Sequence, residues 1–239
     1  MITHHKVSLK NPFFLKSHRN VFTFEDIISL MNWKNLLLLL PFPALLISCS
    51  SNNSEKSEEK QTAPYTFNAP EKWATEQIPF PISFAPNIPY SGVEEARFAP
   101  GWASLSNEEH WTYTFLWWLE GKPSIDSAAL QKNLTEYYSG LLAPNLAAKS
   151  IPAGLPTEPV VKIEKIETAA GDAETFSGTI MMLDYLDPGI KLITLNSIIH
   201  KKFCDTHTAL IFLLSPQPTE HNVWRQLDQL NTRFECSMN

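Results

Sequence analysis

Residues 176–216 read FSGTIMMLDYLDPGIKLITLNSIIHKKFCDTHTALIFLLSP. Three runs rich in β-branched and aromatic residues (176–186, 190–204 and 207–216) are separated by Asp187-Pro188-Gly189 and by a second short turn. Runs of this composition are strands, and short turns between successive strands make an antiparallel meander. A fourth strand precedes them at 160–167 (VVKIEKIE), after a loop over 143–159 that holds Pro144, Pro152, Pro156 and Pro159. Beyond the meander, Val223, Trp224, Leu227, Leu230 and Phe234 make the apolar stripe of a closing helix that starts near Thr219 or Glu220.

Upstream lies HWTYTFLWWLE (110–120), in which Trp111, Tyr113, Phe115, Trp117 and Leu119 alternate with Thr112, Thr114, Leu116 and Trp118. Period two with aromatic residues predicts a strand. Its second half is apolar on both faces, which predicts a central strand covered on both sides. The turn GKPSID follows, with Ser124 or Asp126 as helix cap. Leu130, Leu134, Tyr137 or Tyr138, and Leu141 then recur at helical spacing, predicting a helix over 125–141 that ends near Gly140. Residues 65–100 contain six prolines, which hold the chain extended. This segment is expected to wrap the domain, with one short strand near 96–99. The order is an α+β domain: an antiparallel sheet of about five to six strands packed against two helices as a layered sandwich. That order is similar to the photosystem-accessory PsbP and Mog1 type of α/β/α sandwich, an analogy of element order that shares no motif.

The N-terminal third is organised differently. Leu36 to Ser48 is an apolar run of 13 residues, broken by Pro41 and Pro43 and followed by Cys49. A membrane-spanning helix needs about 20 residues, so this run is too short to span. An apolar core of this size after Lys34 is the pattern of a secretory signal, with Met31 as the expected start. The first thirty residues are then a start-site artefact or a long leader. Leu46-Ile47-Ser48-Cys49 resembles the lipobox of bacterial lipoproteins, in which the cysteine after a small residue is lipidated and becomes the new N-terminus. The resemblance covers Met31 to Cys49 and implies a membrane anchor through lipid on Cys49. In that family the next residue sorts between membranes, and Ser50 resembles the outer-membrane class. Glu55, Glu58 and Glu59 fit either a surface-export signal or a solvated linker. SSNNSEKSEEKQTAP (50–64) has no large apolar residue and reads as a tether. The expected organisation is therefore a leader over 1–48, a lipidated cysteine and linker over 49–64, and a single α+β domain over 65–239.

Charge and composition narrow the partners. From Cys49 onward 14 Lys and Arg stand against 23 Asp and Glu, a net of −9. An acidic domain without a basic stripe does not bind nucleic acid well. Eight glycines against 18 prolines argue against a glycine-lined phosphate loop. No GxGxxG, P-loop, GxSxG, HExxH or paired CxxC motif occurs, so no cofactor and no metal site is expected.

Once Cys49 is set aside, Cys204 and Cys236 remain, an even pair in an exported chain. A Cys204–Cys236 disulfide would staple the closing helix to the sheet. The competing reading makes Cys204 a nucleophile with His207 as base, but the pair sits in a hairpin turn with nothing to lower the thiol pKa. His200, Asp205 and His207, with Glu108, Glu109 and His110, are the metal candidates; turn and surface roles explain them more simply. Asp184 and Asp187 are the paired carboxylates, and turn chemistry accounts for Asp187. Trp102 and Trp118 are the candidate ligand-binding rings; Trp102, in the turn Ala99-Pro100-Gly101-Trp102, has least reason to be buried. Three functions follow: a non-catalytic lipoprotein binding an envelope protein partner, a small-ligand or glycan binder using these exposed rings, or a hydrolase should His200, His207 and an acid converge.

Overall fold

The computed structural model of the chain describes residues 64–237. The leader, the lipobox and Cys49 lie outside the described residues. Among the described residues nine strands and two helices follow one another: β1 (Tyr65–Thr66), β2 (Ala74–Pro79), β3 (Gly92–Phe98), β4 (Tyr113–Glu120), α1 (Ser127–Leu146), β5 (Val160–Lys165), β6 (Glu174–Leu183), β7 (Leu192–Cys204), β8 (His207–Ser215), α2 (Asn222–Thr232) and β9 (Glu235–Cys236). Seven strands form one sheet in the order β2-β3-β4-β8-β7-β6-β5, every neighbour antiparallel. The fold is α+β, with helices packed against an antiparallel sheet.

The expected meander is β5-β6-β7-β8. A second meander, β2-β3-β4, joins the strand expected at 110–120 to two strands, β2 and β3, from the segment read as a wrapping strap with one short strand. Its prolines do not prevent pairing, because β2 is an edge strand, where proline is tolerated. The sheet therefore has seven strands rather than five or six. The meanders join where β4 pairs with β8, with Phe115 opposite Phe212 and Leu116 opposite Ile211. Alternate residues of this seam point to opposite faces.

Each face receives one helix. On the first face, Phe115 stacks on Phe212 at 4.3 Å and on Tyr137 of α1 at 5.3 Å. On the second, Leu116, Trp118, Ile211 and Leu213 pack with Val223, Trp224, Leu227 and Leu230 of α2. Asp126 caps α1 by accepting a hydrogen bond from Ala129 N at 2.8 Å. The helix does not end near Gly140 as expected; it continues to Leu146 through Pro144. Gly140 serves close packing instead, since a Cβ there would lie 1.8 Å from the Phe84 carbonyl oxygen. His221 caps α2, its ring accepting from Val223 N.

The two ends of the described chain meet. β1 pairs with β9, Tyr65 opposite Cys236, and Ser237 N donates to the Pro64 carbonyl at 3.0 Å. Cys236 is bonded to Cys204 at the end of β7, as the cysteine count predicts. Closing a loop across a sequence separation of 32 is expected to stabilise the fold by roughly 3 kcal/mol or a little more. Urea denaturation with and without reductant should show a difference in unfolding free energy of that size, mirrored by a Cys204→Ala/Cys236→Ala double variant. Coincident curves would show that the bond carries no stability.

Candidate functional site

Most residues singled out in the sequence have structural roles. Cys204 is in the disulfide, so it offers no thiol to His207. His207 stacks on Trp118 at 4.7 Å and its Nδ1 lies 3.1 Å from Thr206 Oγ1. Trp118 is 6% exposed, covered by His207 and by Tyr65 at 4.5 Å. Trp102, expected at the surface, is 8% exposed. It packs against Phe98 at 4.9 Å and edge-on to Trp111 at 5.5 Å, so its turn folds back over the sheet instead of projecting from it. The premise of exposed rings at Trp102 and Trp118 therefore fails.

Asp184 and Asp187 do not form an acid–base pair. Asp184 accepts from His110 Nε2 and Trp111 Nε1, each at 2.8 Å, and from the backbone of Leu186 and Asp187. Burial pushes its carboxyl up, but these donors outweigh burial and hold it below the usual range. Asp187 accepts from Gly189 N at 2.7 Å, the turn role expected of it. Among the described residues no three His, Cys, Asp or Glu side chains are placed to hold a metal ion.

Two polar groups inside the protein were not anticipated. Glu94 of β3 lies under α1, 1% exposed. Trp117 Nε1 and Tyr137 Oη each donate to its carboxyl at 2.8 Å. Burial pushes Glu94 up to about 7, even though both donors oppose the shift. Its whole environment is core, so it reads as a satisfied interior carboxyl.

The second group borders a cleft through His200. Asp172 in the β5–β6 connection faces His200 and Lys202, alternate residues of β7. His200 Nδ1 lies 2.7 Å from Asp172 Oδ2, Lys202 Nζ donates to Oδ1 at 2.6 Å, and Thr175 Oγ1 donates to Oδ2 at 2.6 Å. Burial pushes Asp172 up; the bonds from His200, Lys202 and Thr175 outweigh it and leave the carboxyl lowered. An ionised carboxylate only accepts, so the His200 proton facing it sits on Nδ1. Among the described residues Nε2 has no hydrogen-bond partner.

His200 lines a cleft of about 300 Å³ between β7 and α2. Ile198, Leu213 and Trp224 supply the apolar part of its lining, while Thr219, Glu220, His221, Arg225 and Asp228 supply the polar part. The exposed members Glu220, Arg225 and Asp228 mark the rim; His200, Leu213 and Trp224 are buried and mark the floor. A concave apolar site with a few placed polar groups is the general form of a small-molecule site. His200 thus shares the cleft lining with His221 and Asp228 and not with His207, and no serine, threonine or cysteine bonds to its ring among the described residues. Strand alternation places His200 and Lys202 on one face; nothing in the sequence pairs them with Asp172, 28 residues earlier.

No known protein family has a model that matches this chain, and none of the curated proteins matches it in sequence.

Glu94 yields a test. Its folded value lies above the ordinary glutamate value of about 4.5, so between the two the folded state keeps a proton that the unfolded state releases. Stability must fall as pH rises from about 4.5 to about 7 and then level, by up to about 3 kcal/mol. In Glu94→Gln that loss should vanish, and the difference between the two denaturation profiles isolates this group from the carboxylates whose values are lowered. Parallel profiles would remove the assignment.

Proposed function

We propose that the protein is a lipid-anchored lipoprotein of the bacterial cell envelope whose α+β domain is a binding module. The cleft between β7 and α2 carries this reading. Its floor is apolar, its buried histidine is held by a carboxylate, and among the described residues no nucleophilic side chain bonds to that histidine. Such a site is fitted to hold a ligand or a partner's side chain. The Cys204–Cys236 bond supports export to an oxidising compartment. The lipobox Leu46-Ile47-Ser48-Cys49 and the linker after it support the anchor. The residue Ser50 favours the outer membrane, and the acidic balance disfavours nucleic acid.

The small-ligand alternative moves from Trp102 and Trp118 to the cleft beside Trp224. The hydrolase alternative loses its support, because His200 and His207 do not converge.

The test is membrane fractionation with a cross-linked pull-down, comparing the intact protein with Cys49→Ala. The expected result is membrane recovery of the intact protein and release of the variant, with an envelope partner depleted from the variant's cross-links. Equal membrane binding of both forms would overturn the anchor, and recovery of the protein alone in both would overturn the partner.

A further inference from the structure

The chemistry of the cleft selects a class of ligand; this step rests on the binding reading above. His200 is 5% exposed, yet one of its nitrogens is left without a partner at the cleft floor. Its ring is oriented from behind. Asp172 accepts the hydrogen bond from Nδ1–H, and Asp172 is itself fixed by Lys202 and Thr175. Asp172 and Lys202 neutralise each other, so the pair adds no net charge. In the neutral ring Nε2 therefore offers a lone pair and accepts a hydrogen bond. A ligand group that meets it must donate.

The rim agrees with the floor. Glu220 and Asp228 are exposed carboxylates on the lining, and neither forms an ion pair among the described residues. Arg225, the arginine of the lining, donates to Asn222 Oδ1 on its own helix. His221 accepts through Nδ1 from Val223 N, and its Nε2 lies 3.6 Å from Glu108 Oε2. Between rim and floor lie Ile198, Leu213 and Trp224, a surface for an apolar body. A volume of about 300 Å³ suits a molecule of one ring and a short chain.

We propose that the cleft binds a small primary amine on an apolar body, its ammonium donating to His200 Nε2 beneath the Glu220 and Asp228 carboxylates.

Three probes with one apolar body test this on the full chain: 2-phenylethylamine, 2-phenylethanol and 3-phenylpropionate. The chain is labelled with 15N-histidine and studied near pH 8, where long-range 1H–15N correlations report which ring nitrogen carries the proton. A His200→Gln variant assigns the signal. The expected free state is Nδ1–H with a bare Nε2. The amine should shift that Nε2 resonance and bind at least about tenfold tighter than the carboxylate, with the alcohol between. The surface changes Glu220→Gln and Asp228→Asn, which leave the fold untouched, should weaken the amine about three- to tenfold and leave the alcohol unchanged. A proton on Nε2, a carboxylate that binds as well as the amine, or silence to all three probes would overturn the proposal. Silence to the probes in a protein that still captures its partner removes this inference alone; Cys49→Ala remaining on the membrane removes the anchor whatever the probes do.

Discussion

The pairing of β4 with β8 is the constraint on which the rest depends. Seven of the eight residues of β4 are buried, and β8 is apolar from Ala209 to Leu214. A seam apolar on both faces needs a layer on each, so the sheet must be sandwiched. The seam also dictates the path of the chain. β4 lies in the interior of the sheet, while the next strand, β5, lies at the far edge, four strand spacings away. That distance is about 19 Å. α1 has 20 residues and is about 30 Å long, enough to carry the chain across. The crossing helix is thus the lid of the first face, and Tyr137 meets Phe115 because of it.

The second face is covered less completely. α2 has 11 residues, about 16 Å, and packs over β8 and its neighbour β4. Across β5, β6 and β7 the same face carries Lys162, Glu164, Ser177, Thr179 and Asn196, which meet solvent or are half-buried. His200 sits at the boundary: its cross-strand partners are Ile211 on the covered side and Thr175 on the open side. The cleft exists because the helical layer stops there while the sheet continues. A histidine at that edge is dry enough to be oriented by a carboxylate and open enough to be reached.

What was legible follows from range. The meander of β5 to β8 showed in alternation and turn residues, and β4 announced its central place by being apolar on both faces. The closing helix showed in its stripe from Val223 to Leu230. Local rules failed where a distant residue decided the outcome. Gly140 reads as a helix end, but the Phe84 carbonyl, 56 residues away in sequence, is what requires a glycine there. Trp102 reads as exposed because its turn is exposed in the abstract; Phe98 and Trp111 bury it. Glu94 carries no sign of burial in its own stretch of sequence; Trp117 on β4 and Tyr137 on α1 bury and satisfy it. The Asp172–His200 pair joins a loop to a strand and has no spacing signature at all. Long-range pairing, not composition, built the candidate site.

The ends of the domain repeat this point in covalent form. A two-residue ribbon such as β1–β9 has little stability alone. Here Tyr65 adds ring contacts to Trp118 and Phe234 and a hydrogen bond from its hydroxyl to Glu95 at 2.6 Å. Cys236, directly opposite Tyr65, is bonded to Cys204 and so to the longest strand of the sheet. Strain delivered at Pro64 therefore reaches the sheet by two routes, through the Tyr65 contacts and through the ribbon and disulfide to β7. In the lipid-anchored arrangement proposed above, the first described residues to feel a pull would also be those fixed to the strand that carries His200.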